Sequence, residues 1–191
     1  NLMNSCSDIF KINKQGFIEG IRLVKSPNFD NRPMNAKVSL LVIHNISLPP
    51  GKYGGEFIEK FFTNSLDPSI DPFFDKIKNL KVSSHFVIDR LGNLVQYVST
   101  DNSAWHAGDS VWNGRTNCND FSIGIELEGS DNIQYTNPQY EKLNELIDCL
   151  TKKYPIKDIV GHSDIAPNRK TDPGVAFQWN KIKPLKDNIT L

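Results

Sequence analysis

Between Gly161 and Gly174 the chain sets His162, Lys170 and Asp172 in one short, proline-punctuated segment. Ile159 and Val160 read as the end of a buried strand, so His162 is predicted where that strand gives way to a loop. In open α/β sheets, sites are built at the carboxyl ends of strands. Asp172 stands before a Pro173-Gly174 turn that can fix the direction of its carboxylate. One histidine and one aspartate do not make a metal site, so a third ligand has to come from elsewhere in the chain.

His44 is the first place to look. Val38, Leu40, Leu41, Val42 and Ile43 form a near-continuous apolar run, as expected of a central strand covered on both faces. The run ends at His44, and Pro49-Pro50-Gly51 then marks a loop. If the two strands are parallel neighbours, His44 and His162 meet. A hydrogen-bonded structural histidine at each strand end remains the other reading. Two further histidines are open in the same way. His85 begins a strand-like run whose partner starts at Leu94, and Gly92-Asn93 between them predicts a β-hairpin. Trp105-His106 lies in a predicted loop, where the indole offers a flat apolar face for a sugar or peptide. Alternatively, Trp105 packs on the core and His106 is solvated.

Residues 121–128 alternate. Ile123, Ile125 and Leu127 point to one face, and Gly124, Glu126 and Glu128 to the other. Two carboxylates on a hydrophobic strand are costly unless that face opens on water, a metal or a partner charge. Periodicity does not choose between the two glutamates, nor exclude an edge strand with a solvated acidic face.

The elements that must position these groups fit one domain. The chain has 191 residues, with 38% hydrophobic and 23% charged content, enough for a substantial core. Lys+Arg and Asp+Glu are 22 each, which argues against nucleic acid or an anionic membrane as the main partner. No apolar run approaches the ~20 residues needed to span a bilayer. Short helices are predicted over residues 56–64, around Phe73, Phe74, Ile77 and Leu80, and over 176–185. The strongest helical pattern follows Asn137-Pro138, read as N-cap and first helical residue. There Tyr140, Leu143, Ile147, Leu150 and Tyr154 recur at spacings of three and four. Residues 1–36 read as a polar, extended lead-in that wraps the domain, with an edge strand within 18–24. The fold class expected is α/β, a single domain with a central mixed β-sheet flanked by helices.

Cys6, Cys118 and Cys149 are odd in number and widely spaced, which fits free thiols in a reducing compartment and a cytoplasmic protein. Leu2 to Cys6 faintly resembles a lipoprotein cleavage site, but no apolar region precedes it, which argues against a lipid-anchored envelope form. Nothing in the sequence calls for an obligate protein partner.

Three blocks of sequence carry a family resemblance beyond the opening segment. They run from Val42 through His44 to Gly51, across Trp105-His106-Ala107-Gly108, and from Cys118 through Glu126 to Gly129. The chain resembles the zinc-dependent N-acetylmuramyl-L-alanine amidases of peptidoglycan recycling, within the wider amidase and peptidoglycan-recognition superfamily. The resemblance runs from about residue 22 to 182, so residues 1–21 are taken as a lead-in and 22–191 as the amidase domain. It implies one zinc held by His44, His162 and Asp172, with Glu126 rather than Glu128 as the proton-transfer carboxylate. Lys170 becomes the cation beside the reacting carbonyl. Two imidazoles and one carboxylate leave a fourth coordination position open, as catalytic zinc requires.

The substrate implied is a 1,6-anhydro-muramyl peptide, cut between the lactyl carbonyl and L-alanine. Asn45 and Trp105 are then expected to face it, and Lys81 and Arg115 to meet its carboxylates. Lys81 and Asn117 stand where relatives carry Arg, so the salt-bridge pattern to substrate is altered. Two other readings are a broader cell-envelope peptidoglycan amidase and a non-catalytic peptidoglycan-binding module. Such modules typically lack a metal ligand, whereas all three candidates are present here.

Overall fold

The structure is a computed structural model that describes residues 9–185. In chain order these form β1 (Arg22–Leu23), β2 (Phe29–Asn31), β3 (Leu40–Ile46), α1 (Phe57–Phe62) and α2 (Pro72–Ile77). β4 (Phe86–Ile88), β5 (Leu94–Gln96), β6 (Asn102–Ala104), β7 (Val111–Trp112), β8 (Arg115–Thr116) and β9 (Ser122–Glu128) follow. The chain then makes α3 (Asn137–Lys153), β10 (Asp158–Gly161) and α4 (His162–Ile165).

Six strands make one mixed sheet in the order β1-β5-β4-β9-β3-β10. β4 and β5 pair antiparallel, as the Gly92-Asn93 turn predicts, and every other pairing in the sheet is parallel. The apolar run does form the buried strand β3, flanked on both sides by parallel neighbours, but pairing continues past His44 to Ile46. β1 is the edge strand expected near the amino end, pairing with β5.

The alternation of β9 sorts the protein into two layers. Ile123, Ile125 and Leu127 join Leu41 and Ile43 on one face, against Leu143, Leu146, Ile147 and Leu150 of α3. Each Leu or Ile buried this completely contributes ~1.5–3 kcal/mol. Phe10, Ile12 and Ile18 pack on the same core, so the lead-in is fastened to the sheet. The opposite face carries Val42, His44 and Ile46 of β3, and Ile46 packs there against Ile58 and Phe61 from the α1 region. α1 and α2 meet through Phe57 and Phe74, with ring centroids 4.9 Å apart.

Four local expectations need correction. The N-cap of α3 is Thr136, not Asn137. Its Oγ1 accepts the Gln139 N–H at 3.3 Å while Gln139 Oε1 accepts the Thr136 N–H at 3.0 Å, a reciprocal capping box. Residues 176–185 form no α-helix, only a single turn at Trp179–Lys181. The Asn144 side chain instead bonds Lys181 O and the Lys183 N–H, at 2.9 and 2.8 Å, holding the backbone extended beyond the turn. Part of the predicted Trp105 loop is strand β6, which pairs with β2. After β10 the chain enters α4 directly, so His162 opens a helix rather than a loop.

Cys6 lies outside the described residues, among which no disulfide forms. No helix among them is long and apolar enough to cross a membrane.

Candidate active site

Strand register brings the chemistry together. His44 of β3 pairs with Glu126 of β9, and Gly161 of β10 pairs with Ile43. His162, the next residue, therefore stands level with His44. Paired residues of parallel strands share a face, so Glu126 and His44 lie together on the face away from α3, and His162, which opens α4 just beyond β10, reaches His44 there.

Asp172 completes the group from the loop after α4. Its Oδ2 lies 3.2 Å from His44 Nδ1 and its Oδ1 3.3 Å from His162 Nδ1, while the two Nδ1 atoms are 3.0 Å apart. The loop that presents Asp172 is clamped from several sides. Asp172 O accepts the Ser163 N–H at 3.0 Å, and Pro173 O accepts the Tyr135 hydroxyl at 2.7 Å. Asn45 donates to Asp131 Oδ1 at 2.7 Å and to Tyr135 at 3.1 Å, and the Thr171 hydroxyl donates to Asp131 Oδ2. Gly174 sits at φ +82°, pressed so closely on Asp131 that an added Cβ would collide with it.

The donor set suits a metal ion. His162 Nε2 lies 3.0 Å from Ala107 O, which can only accept, so an Nε2–H tautomer of His162 would present its Nδ1 lone pair to a metal. One atom each from His44, His162 and Asp172 lies within 4.8 Å of the others. Two imidazole nitrogens and a carboxylate around an open position match a catalytic zinc site.

The electrostatics follow from burial. Burial pushes the His44 imidazole below its ordinary pKa, and the neighbouring His162 adds to this against the partial opposition of Asp172. Burial works against the Asp172 charge, but the imidazoles of His162 and His44 outweigh it and hold that carboxyl well below the usual range. Burial, with the Asp172 charge second, drives Glu126 well above the ordinary carboxylate value, and Lys170 only partly offsets this. A carboxyl with raised proton affinity beside a metal site is suited to accepting a proton.

These groups line a cavity of about 690 Å³ together with Asn45, Trp105 and Lys170. An apolar part of its lining is built from Phe61, Phe73, Ile77, Leu80 and Val82. Trp105 is held by its backbone N–H to Ser83 Oγ at 3.0 Å and by its indole N–H to Asp30 at 2.7 Å. Lys81 and Arg115 do not line this cavity. Lys81 edges an adjoining groove of about 210 Å³, and Arg115, in the β7–β8 hairpin, stacks its guanidinium 4.0 Å from the Phe121 ring centroid. The cation beside Lys170 in the cavity wall is Arg169.

His85 has a structural place. It accepts the Gly124 N–H at 3.1 Å and donates to Asn102 O at 2.8 Å. Of the two places open to the Trp105-His106 pair, a solvated His106 is excluded, because the imidazole is partly buried against His44. Asp131 and Tyr135, which help to clamp the Asp172 loop, have no signal in the sequence beyond their nearness to β9.

A parallel-strand platform carrying this histidine, aspartate and glutamate constellation over a long cleft fits a metal-dependent hydrolase. The chain belongs to the N-acetylmuramoyl-L-alanine amidase family, whose model matches residues 34–175. It is 52% identical over 179 residues to the 1,6-anhydro-N-acetylmuramyl-L-alanine amidase AmpD of Escherichia coli K12, covering 93% of this chain and 98% of that protein. The crystal structure of a selenomethionine derivative of AmpD superposes with a TM-score of 0.87 at 49% identity, over 90% of this chain and 97% of that one. The Escherichia coli amidase AmiD, in complex with the substrate anhydro-N-acetylmuramic acid-L-Ala-D-γ-Glu-L-Lys, shares 28% identity at a TM-score of 0.55. That match covers 89% of this chain and 63% of AmiD.

Proposed function

We propose that this amidase hydrolyses the bond between the lactyl carbonyl of 1,6-anhydro-N-acetylmuramic acid and L-alanine, using one zinc held by His44, His162 and Asp172. The observation that carries the reading is the convergence of those three donors beside Glu126 at one cavity wall. Its support from relatives is the match to AmpD along 98% of that protein. AmiD, crystallised with an anhydro-muramyl peptide, is matched over 63% of its length. The recycling enzyme is therefore favoured over a broader envelope amidase, and the complete donor set disfavours a non-catalytic binding module.

Bound at this site, zinc would supply Lewis acidity, polarising the scissile carbonyl and activating water near neutral pH. The chain's own residues do the rest. Glu126 takes the proton of the attacking water and returns it to the departing alanine nitrogen, which raises its leaving ability. The Lys170 ammonium stabilises negative charge developing on the carbonyl oxygen. Asn45 keeps the Asp172 loop in place, and the apolar wall excludes water from the reacting bond. Trp105 offers its indole face to sugar or peptide. We further propose a cytoplasmic setting, which the odd number and wide spacing of Cys6, Cys118 and Cys149 in the sequence favour.

The test is mass spectrometry of an anhydro-muramyl tripeptide incubated with zinc-loaded and zinc-stripped protein. Release of free tripeptide by the loaded form alone is expected. Binding without cleavage would sink the enzymatic reading in favour of a recognition module. Equal cleavage of ordinary muramyl peptides would favour the broader amidase.

A further inference from the structure

We propose that His106 is a positioning residue for the metal site, its Nδ1 accepting the Nε2–H of His44 and so keeping His44 Nδ1 bare toward His162 and Asp172. The inference rests on reading those three residues as ligands, and it concerns a residue outside that set.

The contact is short and well directed. His44 Nε2 and His106 Nδ1 are 2.8 Å apart, with the rings perpendicular and their centroids 5.0 Å apart. On its far side, His106 Nε2 lies 3.0 Å from Ser122 Oγ. A protonated Nε2 on His106 donates to that hydroxyl and leaves Nδ1 free to accept, which makes a continuous chain from Ser122 to His44.

The sequence provides a seat for this ring. The site face of β9 reads Ser122, Gly124, Glu126, Glu128, and the one member without a side chain lies under His106. An added Cβ at Gly124 would stand 2.5 Å from His106 Cγ, 2.7 Å from Nδ1 and 2.8 Å from Cδ2. Gly124 has no positive φ to explain it, so close approach of the imidazole is the physical reason for glycine there. The backbone beside the ring is fixed too. Asn119 Oδ1 accepts the N–H of His106 at 3.2 Å and of Ala107 at 2.8 Å. Two successive residues of one loop thus set both imidazoles, Ala107 through its carbonyl to His162 and His106 through its ring to His44.

His44 needs such a partner because it has an alternative. With its proton on Nδ1 it would donate to Asp172 Oδ2, 3.2 Å away, and the nitrogen facing the site would no longer be a lone pair. The His106 acceptor favours the other tautomer. Removing a hydrogen-bond partner behind a ligating histidine typically weakens metal binding 10–100-fold.

The test compares Zn²⁺ affinity, by competition with a chromophoric chelator, in wild type, His106→Phe and His106→Asn. Phenylalanine keeps a ring but cannot accept, whereas the Asn Oδ1 can stand near the place of the imidazole Nδ1. We expect about 10–100-fold weaker zinc binding in His106→Phe and recovery of most of that loss in His106→Asn. Long-range ¹H–¹⁵N spectra of zinc-loaded wild type, which need no variant to fold, should show His106 protonated on Nε2 and bare on Nδ1. Wild-type affinity in His106→Phe, equal weakening in both variants, or a proton on His106 Nδ1 would each overturn the assignment. Wild-type protein that takes up no Zn²⁺ would overturn the ligand reading itself and this inference with it.

Discussion

Glu126 and Glu128 leave the same face of β9, yet their carboxylates stand in opposite circumstances. Glu128 is 5% exposed, and its Oε2 accepts the Gly54 N–H at 2.8 Å while Oε1 accepts the Arg90 N–H at 3.2 Å. Among the described residues none hydrogen-bonds the Glu126 carboxylate, which lines the cavity beside His44. One glutamate ties two loops to the sheet, and the other faces the cavity without a hydrogen-bond partner among the described residues. Glu126→Gln should therefore lower kcat by about 10²–10⁴-fold while zinc stays bound. Glu128→Gln should cost stability, about 1–3 kcal/mol, because an amide NH₂ then faces a backbone donor. Measuring kcat, metal content and urea midpoint in both variants decides the roles. A dead Glu128 variant beside an active Glu126 variant would reverse them.

A second prediction concerns acid. Burial, reinforced by the Arg32 charge, brings His85 from its ordinary value near 6.5 down to about 3, against a partial opposition from the Asn102 carbonyl. Between those limits the unfolded chain binds a proton that the folded chain refuses. Stability therefore rises with pH across this window and is lost as pH falls from about 6.5 toward about 3. One such histidine contributes up to ~1.4 kcal/mol per pH unit. Urea unfolding of metal-free protein at several values from neutral to mildly acidic pH should show the fall, and His85→Gln should flatten it. An unchanged slope in the variant would remove His85 as a source.

These groups were unequally legible in the sequence. Strand β3, the alternation of β9 and the apolar stripe of α3 each follow from local periodicity, because one buried face constrains residues close in sequence. The strand-end position of His162 followed likewise. The pairing of His44 with Glu126 did not, since register between strands about 80 residues apart is set by packing of the whole sheet. The place of His106 was not legible because its seat is an absence, the missing side chain of Gly124 on another strand. The final segment looked helical by pattern but is held by Asn144, a tertiary partner that no local window contains.

Asp172 offers the most direct check on the metal. Asp172→Ala removes one of three donors and leaves the fold's main packing untouched. It should reduce bound zinc and abolish hydrolysis, while the far-ultraviolet circular dichroism spectrum is retained. Full zinc occupancy in that variant would exclude Asp172 as a ligand.

The distal end of the substrate gives a graded expectation. Lys81 is exposed at a groove adjoining the cavity, whereas Arg115, also exposed, stacks on the Phe121 ring and lines neither the cavity nor that groove. Lys81→Ala should raise KM for a carboxylate-bearing tripeptide substrate more than it lowers kcat, and added salt should shrink the difference. Arg115→Ala should change KM less. The larger KM effect in the Arg115 variant would move the peptide to the other side of the site.

The last prediction links backbone shape to the metal. Gly174 holds φ +82°, a region where any other residue is strained, and an added Cβ would strike Asp131. Asp131 in turn receives the Asn45 amide and the Thr171 hydroxyl, and its backbone carbonyl accepts the Ala176 N–H at 2.9 Å. Moving Asp131 therefore loosens the clamp that sets Asp172, without altering a proposed ligand. Gly174→Ala should lower stability by more than the ~1 kcal/mol typical of a substitution at positive φ, because collision adds to strain. It should also weaken zinc binding, since a ligand misplaced by even part of an ångström loses its geometry. Asn45→Ala attacks the same clamp from the sheet side and should shift zinc affinity in the same direction with a smaller loss of stability. If Gly174→Ala is destabilised yet binds zinc as tightly as wild type, the Asp131 clamp supports the fold but does not set the ligand.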